Sequence, residues 1–309
     1  MSVSNQTTHN NDNENKNGQS WRTAALAVVP ALFVLLWATG FIAAKVVISH
    51  ADVLSLLTFR YVLVTIMMTA IALATRAPWP KSWTQVGHIA VCGLLMQVVY
   101  FGGAWLSMSM GVGAGVAALI VCLQPVLTAA LVGPLLGERV TMRQWFGLIF
   151  GLVGVSLVVA NKLGLGLGTA TGMAWSFAGL LGITFGTLYQ KKFCADMDLR
   201  TGGVIQFMVS VFVLFPFAMM LEEGHFDWNT EFVIALIYVA IVSSLISISL
   251  LTFMIKRGEA SRVASLFFLV PPCALLFSWA WLGEAISLTS LSGMIIAVLG
   301  VAIVLHKKP

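Results

Sequence analysis

An all-helical integral membrane bundle, ten transmembrane helices arranged as two inverted five-helix repeats, is the fold this sequence predicts. Three observations predict it. The 309 residues are 59% hydrophobic and only 9% charged, with mean hydropathy +0.94, against roughly 25% charged residues in an average soluble domain. Apolar runs follow one another along almost the whole chain, and a crossing needs about 20 such residues. The sequence also returns into register when slid over itself by 146 positions: Gly40 meets Gly186, Lys45 meets Lys191, Pro125 meets Pro271, and Gly137-Glu138 meets Gly283-Glu284.

Residues 1–20 are polar and Asn-rich, and are expected to form a disordered cytoplasmic tail. The run 23–44 is too long for the apolar core of a secretory signal and is followed by more membrane, so it reads as the first helix. The next runs are 53–75, broken only by Arg60, then 82–137, 144–161, 163–190, 201–221, 232–255, 263–283 and 285–306. The 56 residues from 82 to 137 contain no Asp, Glu, Lys or Arg. That is too many for one crossing, so two helices are expected, turning near the glycines of 108–115. Strands would need polar alternation that these runs lack, and backbone in lipid must be satisfied internally, which leaves helices.

The constant offset points to a duplication, with repeats at 21–162 and 163–309. Five helices per copy send the second into the membrane from the opposite side, the inverted-repeat plan common among secondary transporters. Lys and Arg of short loops favour the cytoplasm. With an inside N-terminus, the inner segments hold fourteen basic residues: Lys16, Arg22, Arg76, Lys81, Arg139, Arg143, Lys191, Lys192, Arg200, Lys256, Arg257, Arg262, Lys307 and Lys308. The outer side holds two, Lys45 and Lys162. Both termini are therefore expected in the cytoplasm. Glu138 then faces inward and Glu284 outward, which is why arginines follow only the first of the two Leu-Gly-Glu motifs.

These motifs as a set resemble the EamA-domain family of the drug/metabolite transporter superfamily: WATGFIAAK in helix 1, FRYVLV in helix 2, and QPVLTAALVGPLLGERVTMRQWFGLIFGLVGVSLVV with its second copy VPPCALLFSWAWLGEAISLTSLSGMIIAVLGVAIVL. The resemblance covers about 23–306. It implies a central cavity lined mainly by helices 1, 3, 4, 6, 8 and 9, a cell (inner) membrane location, and export or exchange of small metabolites, amino acids and their derivatives being frequent substrates. Many members carry an acidic residue just before the helix-9 proline. This chain has Val270 there, so it departs from the family at that position and a carboxylate coupling does not carry over to it.

Residue by residue, two readings stand side by side. Arg60 is the one charge well inside an apolar run, about 10 Å down its helix at 1.5 Å per residue. It is either a counter-ion for a substrate carboxylate or an arginine that snorkels or donates to helix carbonyls. Trp37, Gln97, Tyr100, Gln124, Thr184, Thr187, Tyr189 and Ser243 lie at cavity depth, where they would contact an amphipathic metabolite or make interhelical hydrogen bonds. Gln97 and Ser243 are repeat mates at the same offset, and Gln97 shares a helix face with Tyr100. Pro125, Pro271 and Pro272 each delete a helical hydrogen bond, making them hinge candidates or simple packing bends. Lys45 and Lys191 read as interface anchors or gates, and Glu138 and Glu284 as helix-end groups or gates. The small-residue spacings Gly147, Gly151, Gly154 and Gly293, Ala297, Gly300 are faces for close helix contact.

Other classes find little support. Basic residues are scattered and do not form a nucleic-acid patch. The four cysteines include no CxxC pair, so neither zinc nor disulfides are expected. No HExxH, paired intramembrane aspartates or nucleophile with a histidine partner is present, so an enzyme is not expected. GLGLGTATG at 164–172 lacks the Lys-Ser/Thr ending of a phosphate loop, and no cofactor is expected. The partners called for are a small-molecule substrate and membrane lipid. A facilitative permease or multidrug efflux protein would share this fold.

Overall fold

The computed structural model describes residues 28–160, 168–282 and 286–306. The expected tail at 1–20, Lys162 and Glu284 lie outside the described residues. Among the described residues ten helices are long and apolar enough to cross a membrane. They are α1 (Val28–Ile48), α2 (Val53–Ala74), α3 (Trp83–Ser109), α4 (Val116–Leu136), α5 (Met142–Val159), α6 (Ala170–Phe193), α7 (Leu199–Leu221), α8 (Thr230–Arg257), α9 (Ala260–Phe277) and α10 (Leu288–Leu305). The long run 82–137 divides where expected: α3 stops at Ser109, and Gly111 takes a left-handed φ of 85° that a side chain would resist. Hydrophobic outer faces, with Phe212 at 71% and Met220 at 80% exposure, suit hydrocarbon as the solvent. The polar residues go inside. The chain is an integral membrane protein.

Helices pack as two inverted five-helix repeats require. Two pairs of repeat mates pack on each other, α2 on α7 and α5 on α10, whereas α1 meets α8 as α3 meets α6. Small residues set these distances. A Cβ on Gly40 of α1 would lie 2.7 Å from Ser243 Oγ in α8, and a Cβ on Gly186 of α6 would lie 2.6 Å from Met96 Cγ in α3. Gly40 and Gly186 are mates at the offset of 146, and their contacts fall on mated stretches of α8 and α3. Between α5 and α10, Gly147, Gly151 and Gly154 press backbone to backbone on Gly293, Ala297 and Gly300.

The two ends of the bundle differ in charge. One end, called here the basic face, carries Arg76, Arg139, Lys191, Arg200, Lys256 and Arg262 near helix termini. At the far face, the connection after α1 pairs with that after α7 through Asp52 N–H to His225 O (3.2 Å) and Asp227 N–H to His50 O (2.8 Å). There Glu222 caps α2, accepting from Leu54 N at 2.8 Å and Ser55 N at 2.7 Å. A carboxylate on the positive end of a helix is favourable, and an N-terminal cap is worth about 1 kcal/mol. Glu222→Gln keeps one acceptor without the charge. It should lower stability by about 1 kcal/mol, read as a lower unfolding midpoint in detergent; an unchanged midpoint would show the cap to be idle.

Candidate functional site

Helices α3 and α8 depart from α-geometry at related positions. Residues Leu94–Gly102 of α3 and Val239–Ser247 of α8 are π-helical; adding 146 to the first stretch gives 240–248. Such wider turns are rare and frequent at functional sites. In α8 the serine hydroxyls follow the wider turn, Ser244 Oγ donating to Val239 O at 3.0 Å and Ser247 Oγ to Val242 O at 2.8 Å. The two π-stretches present Tyr100 and Phe101 from one side and Ser243 and Ser247 from the other to a shared cavity. Trp37 and Gly40 of α1, Arg60 of α2 and Trp105 of α3 also line it, with Phe41, Ala44 and Ala104 filling the rest of the wall.

Arg60 is the centre of this cavity, with 0% exposure. It neither snorkels nor uses helix carbonyls. Its Nε–H donates to Ser244 Oγ at 2.7 Å, and its guanidinium carbon lies 4.6 Å from the Phe101 ring centre and 4.9 Å from that of Trp105. Nη1 and Nη2 have no hydrogen-bond partner among the described residues. Burying an ion costs several kcal/mol. Three cation–π contacts, with Tyr61 at 5.5 Å as the third, return about 0.5–2 kcal/mol each and one neutral acceptor about 1.5–3 kcal/mol, while the four N–H groups on Nη1 and Nη2 have no partner among the described residues. Among the described residues no Asp or Glu lines the cavity.

Trp37 stacks on Tyr100 at 6.2 Å and 17° and meets Phe267 edge-on at 5.2 Å. Ser243 Oγ, like Nη1 and Nη2, is buried without a partner among the described residues. The cavity itself holds about 30 Å³, room for a water or two, whereas ligand pockets run about 300–1,000 Å³. The described conformation is contracted around Arg60.

Of the residues singled out in the sequence, Trp37, Arg60, Tyr100 and Ser243 thus share one cavity wall. Gln97 is fully buried outside that wall, with both amide atoms unpartnered, and its carbonyl accepts from Tyr61 Oη at 2.7 Å. Gln124 is buried with Oε1 unpartnered, as is Thr128 Oγ1 one turn on. Thr184 and Thr187 turn their hydroxyls back on α6, to Leu180 O at 2.7 Å and Ile183 O at 2.8 Å. Tyr189 lies apart from the cavity, bonded to His88 Nδ1 at 2.7 Å and packed on Phe193. Phe101, Trp105, Ser244 and Ser247 escaped the sequence reading; the serine-rich IVSSLISIS at 241–249 was the available signal.

The prolines sit where helices restart. In α4 the helix breaks at Cys122 and Leu123, and a new segment, Gln124–Leu136, carries Pro125 in its first turn. In α9 a 3₁₀ turn, Leu266–Leu269, precedes Val270–Leu282 with Pro271 and Pro272 at its start. Shifting 122–123 by 146 gives 268–269, so the breaks match. Proline is tolerated in a first turn, where its missing N–H would have no helical partner. The breaks also touch: Cys122 Sγ donates to Phe267 O at 3.7 Å, the carbonyl four residues before Pro271.

At the basic face, Glu138 joins three elements. Its carboxylate pairs with Lys191 at the end of α6 and accepts from Ala260 N at the start of α9, at 3.2 Å. Lys191 also donates to Gly258 O. Lys45, its repeat mate, is exposed at the far face. Among the described residues no cluster of His, Cys, Asp and Glu could hold a metal ion.

A family model, that of the EamA-like transporter family, matches residues 23–160 and 170–306. Among similar proteins, the uncharacterized transporter YvbV of Bacillus subtilis is 26% identical over 91% of this chain and 92% of its own. A probable amino-acid metabolite efflux pump of Salmonella typhimurium is 24% identical over 88% of this chain and 92% of its own. Its namesake in Escherichia coli is 25% identical over 89% and 93%. One solved crystal structure overlays with TM-score 0.77 at 18% identity, covering 91% of this chain and 96% of that one, a likeness of fold.

Proposed function

The chain belongs to the EamA-like transporter family, and on that premise we propose that it exports or exchanges small metabolites, amino acids or related compounds, by alternating access. One observation carries the reading: a contracted cavity lies between inverted repeats whose mated helices α4 and α9 break at the same register and touch there. Discontinuous helices at a repeat interface are where transporters bind and rock. The Glu138–Lys191–Ala260 contact then acts as a clasp holding one face closed. The Lys and Arg bias makes that face cytoplasmic, with both termini on its side, and the amino-acid class follows the printed names of two efflux-pump relatives.

With no carboxylate on the cavity wall among the described residues, a standard proton relay lacks its usual group there, and exchange or downhill export fits better. Proteoliposomes loaded with unlabelled neutral amino acids should take up the labelled compound faster than empty ones. An uncoupler at constant substrate gradient should change the rate little. Uptake without trans-acceleration would favour a channel-like permease, and abolition by the uncoupler would refute the exchange reading.

A further inference from the structure

We infer that the cavity around Arg60 is a carboxylate site, taking a small organic acid, anionic or zwitterionic, with an apolar or aromatic body. The inference deepens the transport reading and relies on it for the route in and out, though not for binding. A guanidinium has five N–H donors. Here Nε–H is used by Ser244, and the four on Nη1 and Nη2 are unsatisfied among the described residues at 0% exposure. Those two nitrogens form the fork that matches the two oxygens of a carboxylate. An arginine serving only to tie α2 to α8 would place that fork on backbone carbonyls, and Nη1 and Nη2 reach none among the described residues.

The surroundings narrow the class further. Among the described residues no acidic side chain lines the cavity, so none of them balances the charge of Arg60, and a bound anion would. Amines meet the opposite situation: the π-faces of Phe101 and Trp105 that would attract a cation already hold the guanidinium. Trp37 and Tyr100 supply flat apolar surface for the body of the acid. Ser243 Oγ is free for one further polar group, such as the amino group of a zwitterion. At about 30 Å³ the site has no room for such a molecule as it stands; the opening that admits the acid also makes its space.

The test uses the purified full chain in detergent and three acids, each with its neutral amide, 3-phenylpropanoate, 4-methylpentanoate and indole-3-acetate, together with the zwitterion L-phenylalanine and its cationic amide, and with 2-phenylethylamine as the simple cation. Affinities are read from the shift of the unfolding midpoint with concentration. Acids should bind roughly tenfold or more tighter than their amides. Arg60→Gln should erase that difference, and Arg60→Lys should restore part of it, since lysine keeps the charge without the fork. A series in which no acid outbinds its amide, or in which the amine binds best, overturns the inference. That comparison needs only the unaltered chain, so a variant that fails to fold does not spare the proposal. Acid-selective binding without any counterflow would keep the site and sink the transport reading; counterflow of amides as fast as acids would do the reverse.

Discussion

Replacing Gly154 with leucine is expected to leave almost no folded chain. A Cβ at 154 would sit 2.3 Å from Ala297 N and 2.7 Å from Gly293 O, and on the facing helix a Cβ at Gly300 would sit 2.4 Å from Gly151 N. Those neighbours are backbone and cannot rotate aside, so α5 and α10 must separate along their whole shared face. In a bilayer there is little hydrophobic gain to soften this, because association rests on close packing. Overpacking a tight contact costs about 1–3 kcal/mol and sometimes more; with a four-carbon side chain against backbone, about 3 kcal/mol or more is expected. Gly87→Ala is the control: nothing lies within 4 Å of its added Cβ, and alanine favours helix by about 1 kcal/mol. Size-exclusion profiles and unfolding midpoints in detergent check both. A Gly154→Leu chain eluting and melting like the unaltered protein would mean that this crossing does not hold the repeats together.

That crossing was legible in the sequence because glycines at 147, 151 and 154 recur, with one alanine, at 293, 297 and 300. The ten helices were legible for a stronger reason: a long uncharged apolar run in lipid has no other way to satisfy its backbone. The same register surfaces in places the sequence reading passed over, as in Asp52 and Asp198, mates that each stand at the N-cap of their helix. Rotation of helices about their axes was not legible. Depth along α2 left Arg60 free to reach the interface or the interior, and only its facing toward α3 and α8 buries it. Depth equally grouped Tyr189 with Trp37, although Tyr189 packs on His88 and Phe193. Thr184 and Thr187 illustrate a local ambiguity, since a helical threonine can always bond its own preceding turn. The π-stretches left no trace at all, because a run apolar on every side has no period from which one extra residue per turn could be read.

Glu138→Gln should open the basic face. The carboxylate accepts from Lys191 and from Ala260 N–H, and the two ionic side chains are only 20% and 22% exposed, so solvent screens the pair less than it would on a free surface. Losing the charge forfeits about 1.5 kcal/mol or more of charge-assisted bonding, equivalent to roughly a tenfold shift in a two-state equilibrium. With a single cysteine at Val263, buried in α9 just inside the clasp, in a chain otherwise free of cysteine, labelling by an impermeant maleimide from that face should speed up roughly tenfold. The charge swap Glu138→Lys with Lys191→Glu separates the two halves of the clasp. It restores an ion pair, but an ammonium at 138 cannot accept from Ala260 N–H, so labelling should fall only part of the way back; complete recovery would make the ion pair the whole clasp, and no change in Glu138→Gln would leave it without a gating role. At the constant offset the counterparts of Glu138, Lys191 and Ala260 are Glu284, Lys45 and Ala114. If the repeats alternate, Lys45→Gln must act with the opposite sign, favouring the state open at the far face and slowing labelling at Val263.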